Sequence, residues 1–337
     1  MPRLTVLEPE AMYPDTLLEQ RILGPEVEVI QGGAPHPESL DAVSDEVCAR
    51  VDGLLIFRHW LKPHHVARFP KLKVVVRMGV GYDRLDRAAC AARGITVCNV
   101  PDYGTMEVAD HAIALTLALR RGIALHHDLQ RDGAPWRYKD HPVIRRLGVQ
   151  VFGVVGLGRI GTAAALRAKA LGFRVRFHDP NLPNGWDRAL GFERARTLDE
   201  LLASADVLSI HVPDTRTTRG LIGKAQLALL PDNAIVVNTA RGSSLDLDAL
   251  EAELRSGRLA GAGLDVIPVE PPMEPIPSLL KAYRAREPWT IGRLIVTPHS
   301  AFHTPESWAD IRRLSAETMR DNLVLGIPSN AIPPDGD

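Results

Sequence analysis

The stretch Val149-Gln150-Val151-Phe152-Gly153-Val154-Val155-Gly156-Leu157-Gly158-Arg159-Ile160-Gly161-Thr162 decides the fold class. An apolar run, Val149–Val155, enters a G-x-G-x-x-G turn at Gly156, Gly158 and Gly161, and a helical segment from Thr162 to Leu171 leaves it. That order has a physical meaning. The first glycine makes the tight turn, the second lets backbone approach a pyrophosphate, and the third lets helix and strand pack closely. The helix N-terminus, with Arg159 and Ile160 in the turn before it, then faces the phosphate charge. Glycine-rich turns are common, so the residues around this one must agree with it.

They do. The next apolar run, Phe173-Arg174-Val175-Arg176-Phe177-His178, ends in Asp179, at the spacing of about twenty residues where an acid binds the adenosine ribose hydroxyls. An acid there repels a 2′-phosphate, so NAD is the expected cofactor rather than NADP.

Outward from this unit, short β-rich apolar runs alternate with longer helical patterns, which argues for parallel sheets covered by helices. Upstream the runs are Leu4–Leu7, Val27–Ile30, Leu54–Phe57, Val74–Val76 and Thr96–Val97. Downstream they are Arg174–His178, Val207–Val212, Ala234–Asn238, Ala262–Val266 and Leu294–Thr297. The segment from Thr105 to Arg121 is apolar on nearly every face, with Thr105 as its N-cap, and reads as a long buried helix crossing between domains. Thr197-Leu198-Asp199-Glu200 has capping-box spacing. Thr304-Pro305 supplies an N-cap and a proline at N1 for a closing helix to about Leu325. The first unit lacks a closing element of its own, so this helix is expected to return to it. The expectation is an α/β chain of two doubly wound parallel-sheet domains. A discontinuous substrate domain would span 1–103 and 300–337, and a Rossmann NAD-binding domain, 104–299, would be inserted in it.

At 337 residues the chain is long enough for two sizeable cores. With 40 basic and 41 acidic residues, nothing points to nucleic acid or an anionic membrane as partner. Cys48, Cys90 and Cys98 form no CxxC pair, which suits a reduced compartment. The N-terminus lacks the apolar core of a signal peptide. A cytoplasmic protein is expected.

Three later motifs end apolar strands with chemistry-bearing residues: Asn238-Thr239-Ala240-Arg241-Gly242, Asp265 to Glu270-Pro271, and Thr297-Pro298-His299-Ser300. A guanidinium at a strand's C-terminal edge can grip a carboxylate and a carbonyl in a planar fork. Histidine titrates near neutrality and suits proton exchange with a hydroxyl that becomes a ketone. Glu270 would hold and polarise His299 for that task. The other eleven histidines read as structural, including His64-His65 and His126-His127, which have no ligand-like spacing to a third group; no metal is expected. In the first unit, Arg77-Met78-Gly79-Val80-Gly81-Tyr82-Asp83 follows a strand and exposes backbone N–H groups suited to a small carboxylate.

Together these motifs resemble the D-isomer-specific 2-hydroxyacid dehydrogenases from Lys73 to Leu325, and within them the C-terminal-binding-protein (CtBP)-like branch. Val97-Cys98-Asn99-Val100-Pro101 and Leu166-Arg167-Ala168-Lys169-Ala170 carry the same flavour. The resemblance implies a catalytic triad of Arg241, Glu270 and His299. It implies substrate binding by Arg77 with the amides of Gly79, Val80 and Gly81, and beside Phe302, which stands where animal members of the branch carry tryptophan. It also implies that Asp265 meets the nicotinamide side and that Val212, Pro213, Thr218, Thr239 and Ala240 line the cofactor. The substrate would be a small 2-oxo or 2-hydroxy acid, and the protein a homodimer joined through the cofactor domain. The alternatives are an NAD(H)-sensing, corepressor-like interaction protein and a phosphite-type dehydrogenase. One departure stands out: the connection from Glu270 to His299 is longer than in the proteins it resembles. The surplus, Met273 to Arg293, would reshape the active-site mouth or a subunit contact.

Overall fold

The computed structural model describes residues 4–34, 40–138 and 144–334. Met1 to Arg3, which open the stretch read above for a signal segment, lie outside them. The chain divides into two compact units, Met1–Tyr103 with His303–Asp337, and Gly104–Phe302. The second unit therefore runs to Phe302 rather than to His299.

The first unit is built on β1 (Leu4–Glu10), β2 (Val27–Ala34), β3 (Gly53–Ile56), β4 (Val74–Arg77) and β5 (Thr96–Cys98). They form one parallel sheet in the order β2-β1-β3-β4-β5, the flavodoxin-like order with its switch point beside β1. Leu7, Leu54, Ile56, Val75 and Phe69 are buried in its core. The helix Pro305–Met319 packs in this unit. Thr304 caps it, with Ser307 N donating to Thr304 Oγ1 at 3.0 Å and Thr304 N to Ser307 Oγ at 3.1 Å.

The second unit contains β6 (Val151–Val155), β7 (Arg174–His178), β8 (Glu193–Arg194), β9 (Val207–Ile210), β10 (Ile235–Asn238), β11 (Gly261–Leu264) and β12 (Leu294–Val296). The seven strands are parallel, ordered β12-β11-β10-β9-β6-β7-β8. Both faces are covered, which explains why the strands read as continuous apolar runs. On β10, Val236 joins one buried cluster while Ile235 and Val237 join the other.

Three local expectations are corrected. The helix Thr105–Arg120 starts after Gly104, so Thr105 is its first residue and not its cap. The helix is also not buried all round, since Met106 is exposed while Ala109, Ala112, Ile113, Leu115, Thr116 and Leu119 are buried. It lies close on β11 because two glycines stand there. A Cβ on Gly263 would come within 2.9 Å of Leu115 Cβ, and one on Gly261 within 3.1 Å of Leu119 Cδ2. Finally, Val149 ends a short 3-10 turn and the strand begins at Val151. Gln150 is buried there, its amide donating to the carbonyls of Arg145 and Arg146.

Candidate active site

The expected cofactor residues lie past the carboxyl ends of the second unit's strands. Gly156 follows β6 with φ of +86°, and a Cβ on Gly161 would fall on the Gly156 carbonyl oxygen. A Cβ on Gly158 would meet nothing within 4 Å. Gly158 is the N-cap of the helix Arg159–Ala170 and no side chain caps that end. The first-turn amides of Arg159, Ile160 and Gly161 therefore have no helical acceptor. Asp179 follows β7 and braces the loop, its carboxylate accepting from Leu157 N and Asn181 N, both at 2.9 Å. Val212 and Pro213 follow β9, where Thr218 Oγ1 donates to the Pro213 carbonyl at 2.5 Å. Thr239 and Ala240 follow β10; Thr239 is 8% exposed and its hydroxyl is buried without a hydrogen-bond partner. A glycine cradle, a bare helix N-terminus, an acid at the second strand and an orphaned hydroxyl fit a dinucleotide.

Arg241, Glu270 and His299 converge in this same unit. Asn238, fully buried at the end of β10, shapes the first turn by donating to Arg241 O at 2.9 Å and accepting from Ala240 N at 3.0 Å. A Cβ on Gly242 would fall on the backbone of Ile267 and Pro268, so the chain leading to Glu270 can pass against the Arg241 turn only because glycine stands there. Glu270 Oε1 then accepts from Ile267 N at 2.9 Å, and Oε2 lies 2.5 Å from His299 Nδ1. Burial pushes the Glu270 carboxyl upward. The His299 hydrogen bond and charge, the Ile267 amide and the Arg241 charge outweigh it, leaving Glu270 below its ordinary range.

His299 has φ of +54°, a backbone state that costs a non-glycine residue and persists only when its surroundings impose it. Asp265 imposes it. Its carbonyl accepts from His299 N at 2.8 Å, and its carboxylate accepts from Ser300 N at 2.9 Å, Ala301 N at 3.0 Å and Thr297 Oγ1 at 2.6 Å. Asp265 is 2% exposed, so its carboxylate serves the protein's own loop. With Nδ1 donating to Glu270, His299 Nε2 is left for proton exchange with a bound molecule. The Phe302 ring meets the His299 ring edge-on at 6.4 Å.

In the first unit, Arg77 closes β4 and donates to Met78 O at 2.9 Å; its guanidinium lies 5.4 Å from the Phe57 ring centre. Gly79 has φ of +146°, and a Cβ there would fall on Arg77 Nη1. Asn99 donates to Val80 O at 2.7 Å, and Val100 N to Gly79 O at 3.1 Å, so Val80 and Gly81 lie in an anchored turn. Sequence reasoning missed Phe57 and its anchor, Glu10, whose carboxylate accepts from the amides of Phe57, Arg58 and His59 at 2.5, 2.5 and 3.1 Å.

Residues 113–301, which contain every second-unit element of this geometry from β6 to His299, match the family "D-isomer specific 2-hydroxyacid dehydrogenase, NAD binding domain". The chain belongs to that family. A D-3-phosphoglycerate dehydrogenase of Archaeoglobus fulgidus is 39% identical over 76% of the chain and 46% of its own length. A glyoxylate reductase of Korarchaeum cryptofilum is 37% identical over 79% of the chain and 76% of its own length. The chain thus spans about half the length of the first of these relatives. The crystal structure of a D-lactate dehydrogenase from Aquifex aeolicus, complexed with NAD and lactic acid, superposes with a TM-score of 0.82 at 26% identity, covering 97% of this chain and 98% of that one.

Two further features add to the sequence reading. The surplus before His299 forms a helix, Ser278–Arg284, whose Leu279, Leu280 and Ala282 are buried. It is tied to the helix Leu247–Arg255: Ser278 Oγ donates to Glu251 at 3.2 Å and Arg255 stacks on Trp289 at 4.4 Å. The doublet His64-His65 does have a third group, because Asp41 Oδ1 lies 3.5 and 3.2 Å from their Nε2 atoms. His65 Nδ1 accepts the Lys62 amide at 3.1 Å, which leaves the ring proton on Nε2 and denies that nitrogen to a metal. Among the described residues, no helix is long and apolar enough to cross a membrane.

Proposed function

We propose that this family member is an NAD-dependent dehydrogenase that interconverts a D-2-hydroxy acid and its 2-oxo acid. The observation that carries the reading is the His299–Glu270 contact of 2.5 Å, formed on a loop whose backbone is held in a strained state and within the electrostatic reach of Arg241. Strained, over-determined backbone concentrates where geometry serves chemistry.

Arg241 would bind the substrate's carboxylate and carbonyl as a fork. His299 Nε2 would give its proton to the carbonyl oxygen during reduction and recover it during oxidation. Glu270 would keep the ring oriented and balance its charge. In the first unit, Arg77 with the turn Gly79-Val80-Gly81 offers a second carboxylate nest, and we assign it substrate binding; Phe302 would set the room beside the substrate. Gly156, Gly158, Arg159, Ile160 and Gly161 would hold the NAD pyrophosphate and Asp179 the ribose. Val212, Pro213, Thr218, Thr239 and Ala240 would line the rest, and Asp265, expected on the nicotinamide side, would serve it indirectly by holding the loop after Thr297. When bound, NAD⁺ would accept the hydride from C2 of the 2-hydroxy acid, and NADH would supply it to C2 of the 2-oxo acid.

The relatives named a D-3-phosphoglycerate dehydrogenase, a glyoxylate reductase and a D-lactate dehydrogenase support this class and differ among themselves in the side chain their names imply. The decisive test is loss of NADH absorbance against glyoxylate, pyruvate, hydroxypyruvate and phenylpyruvate, with His299→Ala beside the wild type. Turnover that disappears in the variant is expected. A His299→Ala enzyme with unchanged turnover overturns the reading. We also assign a homodimer, supported by the exposure of Ile123, Trp136 (91%) and Tyr138 (81%) in the cofactor unit. Light scattering should report a dimer that Trp136→Glu weakens.

A further inference from the structure

The carboxylate that shapes the His299 loop is itself held by a hydrogen-bond chain that begins on the helix Thr105–Arg120. His111 Nε2 lies 3.0 Å from Thr297 Oγ1, and Thr297 Oγ1 lies 2.6 Å from Asp265 Oδ1. An ionised carboxylate only accepts, so the Thr297 hydroxyl donates to Asp265, and its oxygen must then accept from His111. This logic puts a proton on His111 Nε2. The same nitrogen lies 3.8 Å from Asp265 Oδ1, too far for a direct bond, so Thr297 is the necessary link.

His111 stands there for a reason of register. On a helix His111, Leu115 and Leu119 share one face, and Gly261 and Gly263 of β11 alternate in step with Asp265, the residue that follows the strand. Leu119 seats against Gly261 and Leu115 against Gly263, each where a Cβ would intrude. The next pair in that register is His111 with Asp265, one turn further along the helix and two residues further along the strand.

We propose that His111 is a positioning residue for His299. Its Nε2–H, relayed by Thr297 Oγ1, holds the Asp265 carboxylate so that its other contacts keep Ser300, Ala301 and the left-handed His299 in place. The proposal rests on the reading of His299 as the acid and base, and its first test does not involve activity. In ¹⁵N-histidine spectra of the protein without cofactor, the resonance lost in His111→Gln should be that of a ring protonated at Nε2. A ring protonated only at Nδ1 overturns the proposal, whatever the enzyme turns over.

Kinetics supply the second test. His111→Leu should lower kcat about tenfold, the scale expected of a small misplacement at a reacting group, with the NADH dissociation constant within about twofold of the wild type. His111→Gln keeps a donor toward Thr297 and should restore kcat to within about threefold. Thr297→Val should reproduce the His111→Leu loss, and the double variant should be no worse than either single one, because both break one chain. Should His111→Leu not fold, His111→Asn, too short to reach, takes its place. Equal losses in the Leu and Gln variants, multiplying losses in the double variant, or an unchanged kcat would each overturn the proposal. Failure of His299→Ala to abolish turnover would strike the functional reading and leave the spectroscopic result standing.

Discussion

His299 Nδ1 and Glu270 Oε2 lie 2.5 Å apart across 29 residues of sequence, and each is held by backbone from its own side. Glu270 is kept ionised below its ordinary value of 4.5, even though burial opposes this, because the His299 bond and charge, an amide and Arg241 all favour the anion. Glu270→Gln keeps the shape and removes the charge. It should lower kcat about a hundredfold, the lower end of what a positioned acid–base group contributes, with NADH binding little changed. The stability that ionised Glu270 contributes is present above pH 4.5 and is lost only as pH falls through its depressed value. Thermal melts should therefore keep the wild type ahead of the variant at pH 5, with the gap closing on further acidification.

Gly158 and Gly161 serve different ends, and alanine separates them. At Gly158 the new methyl meets no protein atom, so the melting temperature should stay within about 2 °C while NADH affinity, read by fluorescence titration, falls at least tenfold as the methyl blocks the close approach a pyrophosphate needs. At Gly161 the methyl falls on the Gly156 carbonyl oxygen, and the fold itself should lose about 1–3 kcal/mol in urea denaturation.

Gly242→Ala places its methyl on the backbone of Ile267 and Pro268. The displaced chain carries Glu270, so the variant should lose about 1–3 kcal/mol of stability and also activity. A fully active Gly242→Ala would show that the Ile267–Glu270 segment can shift without cost to the site.

Glu8 is completely buried on β1, and among the described residues only the Met12 backbone amide approaches its carboxylate to favour the anion. Burial, with Glu19 and Glu10 nearby and Arg312 only partly compensating, pushes it from 4.5 to about 8. Between those values the folded chain holds a proton that the unfolded chain releases, so stability falls as pH rises from 4.5 to 8 and levels off above. Glu8→Gln removes that slope. Its melting temperature should match the wild type near pH 5 and exceed it by roughly 5 °C or more at pH 9. A constant difference across that range would mean that Glu8 is ionised in the folded protein throughout.

Most strands were legible because sheets covered on both faces need apolar residues on both, and runs such as Ile235–Val237 satisfy that locally. The strand Glu193–Arg194 was not, because two charged residues carry no apolar period. The box at Thr197 was legible only in half: Thr197 accepts from Glu200 N, yet Glu200 reaches back to Arg196 N, one residue before the cap. Of the residues proposed for the site, Arg241 and His299 drew attention because each follows closely on an apolar strand, and Glu270 because its loop leaves the strand that ends at Leu264. His111 did not. It is one polar residue in an apolar helix, and its meaning appears only once Leu115 and Leu119 are seen against Gly263 and Gly261.

Periodicity, glycine placement and strand-end chemistry act over one element and the next turn, so two parallel sheets, the dinucleotide turn after Val155 and the chemically competent strand ends were readable from the chain. Glu270 was expected to hold His299 on chemical grounds, but their contact across 29 residues and the partners of the other side chains were not readable. That Asp265 spends its carboxylate on the loop after Thr297, and that His111 completes the chain, depend on how separate helices and strands seat on one another. Contacts of that kind are set by packing between elements far apart in sequence, and no local pattern encodes them.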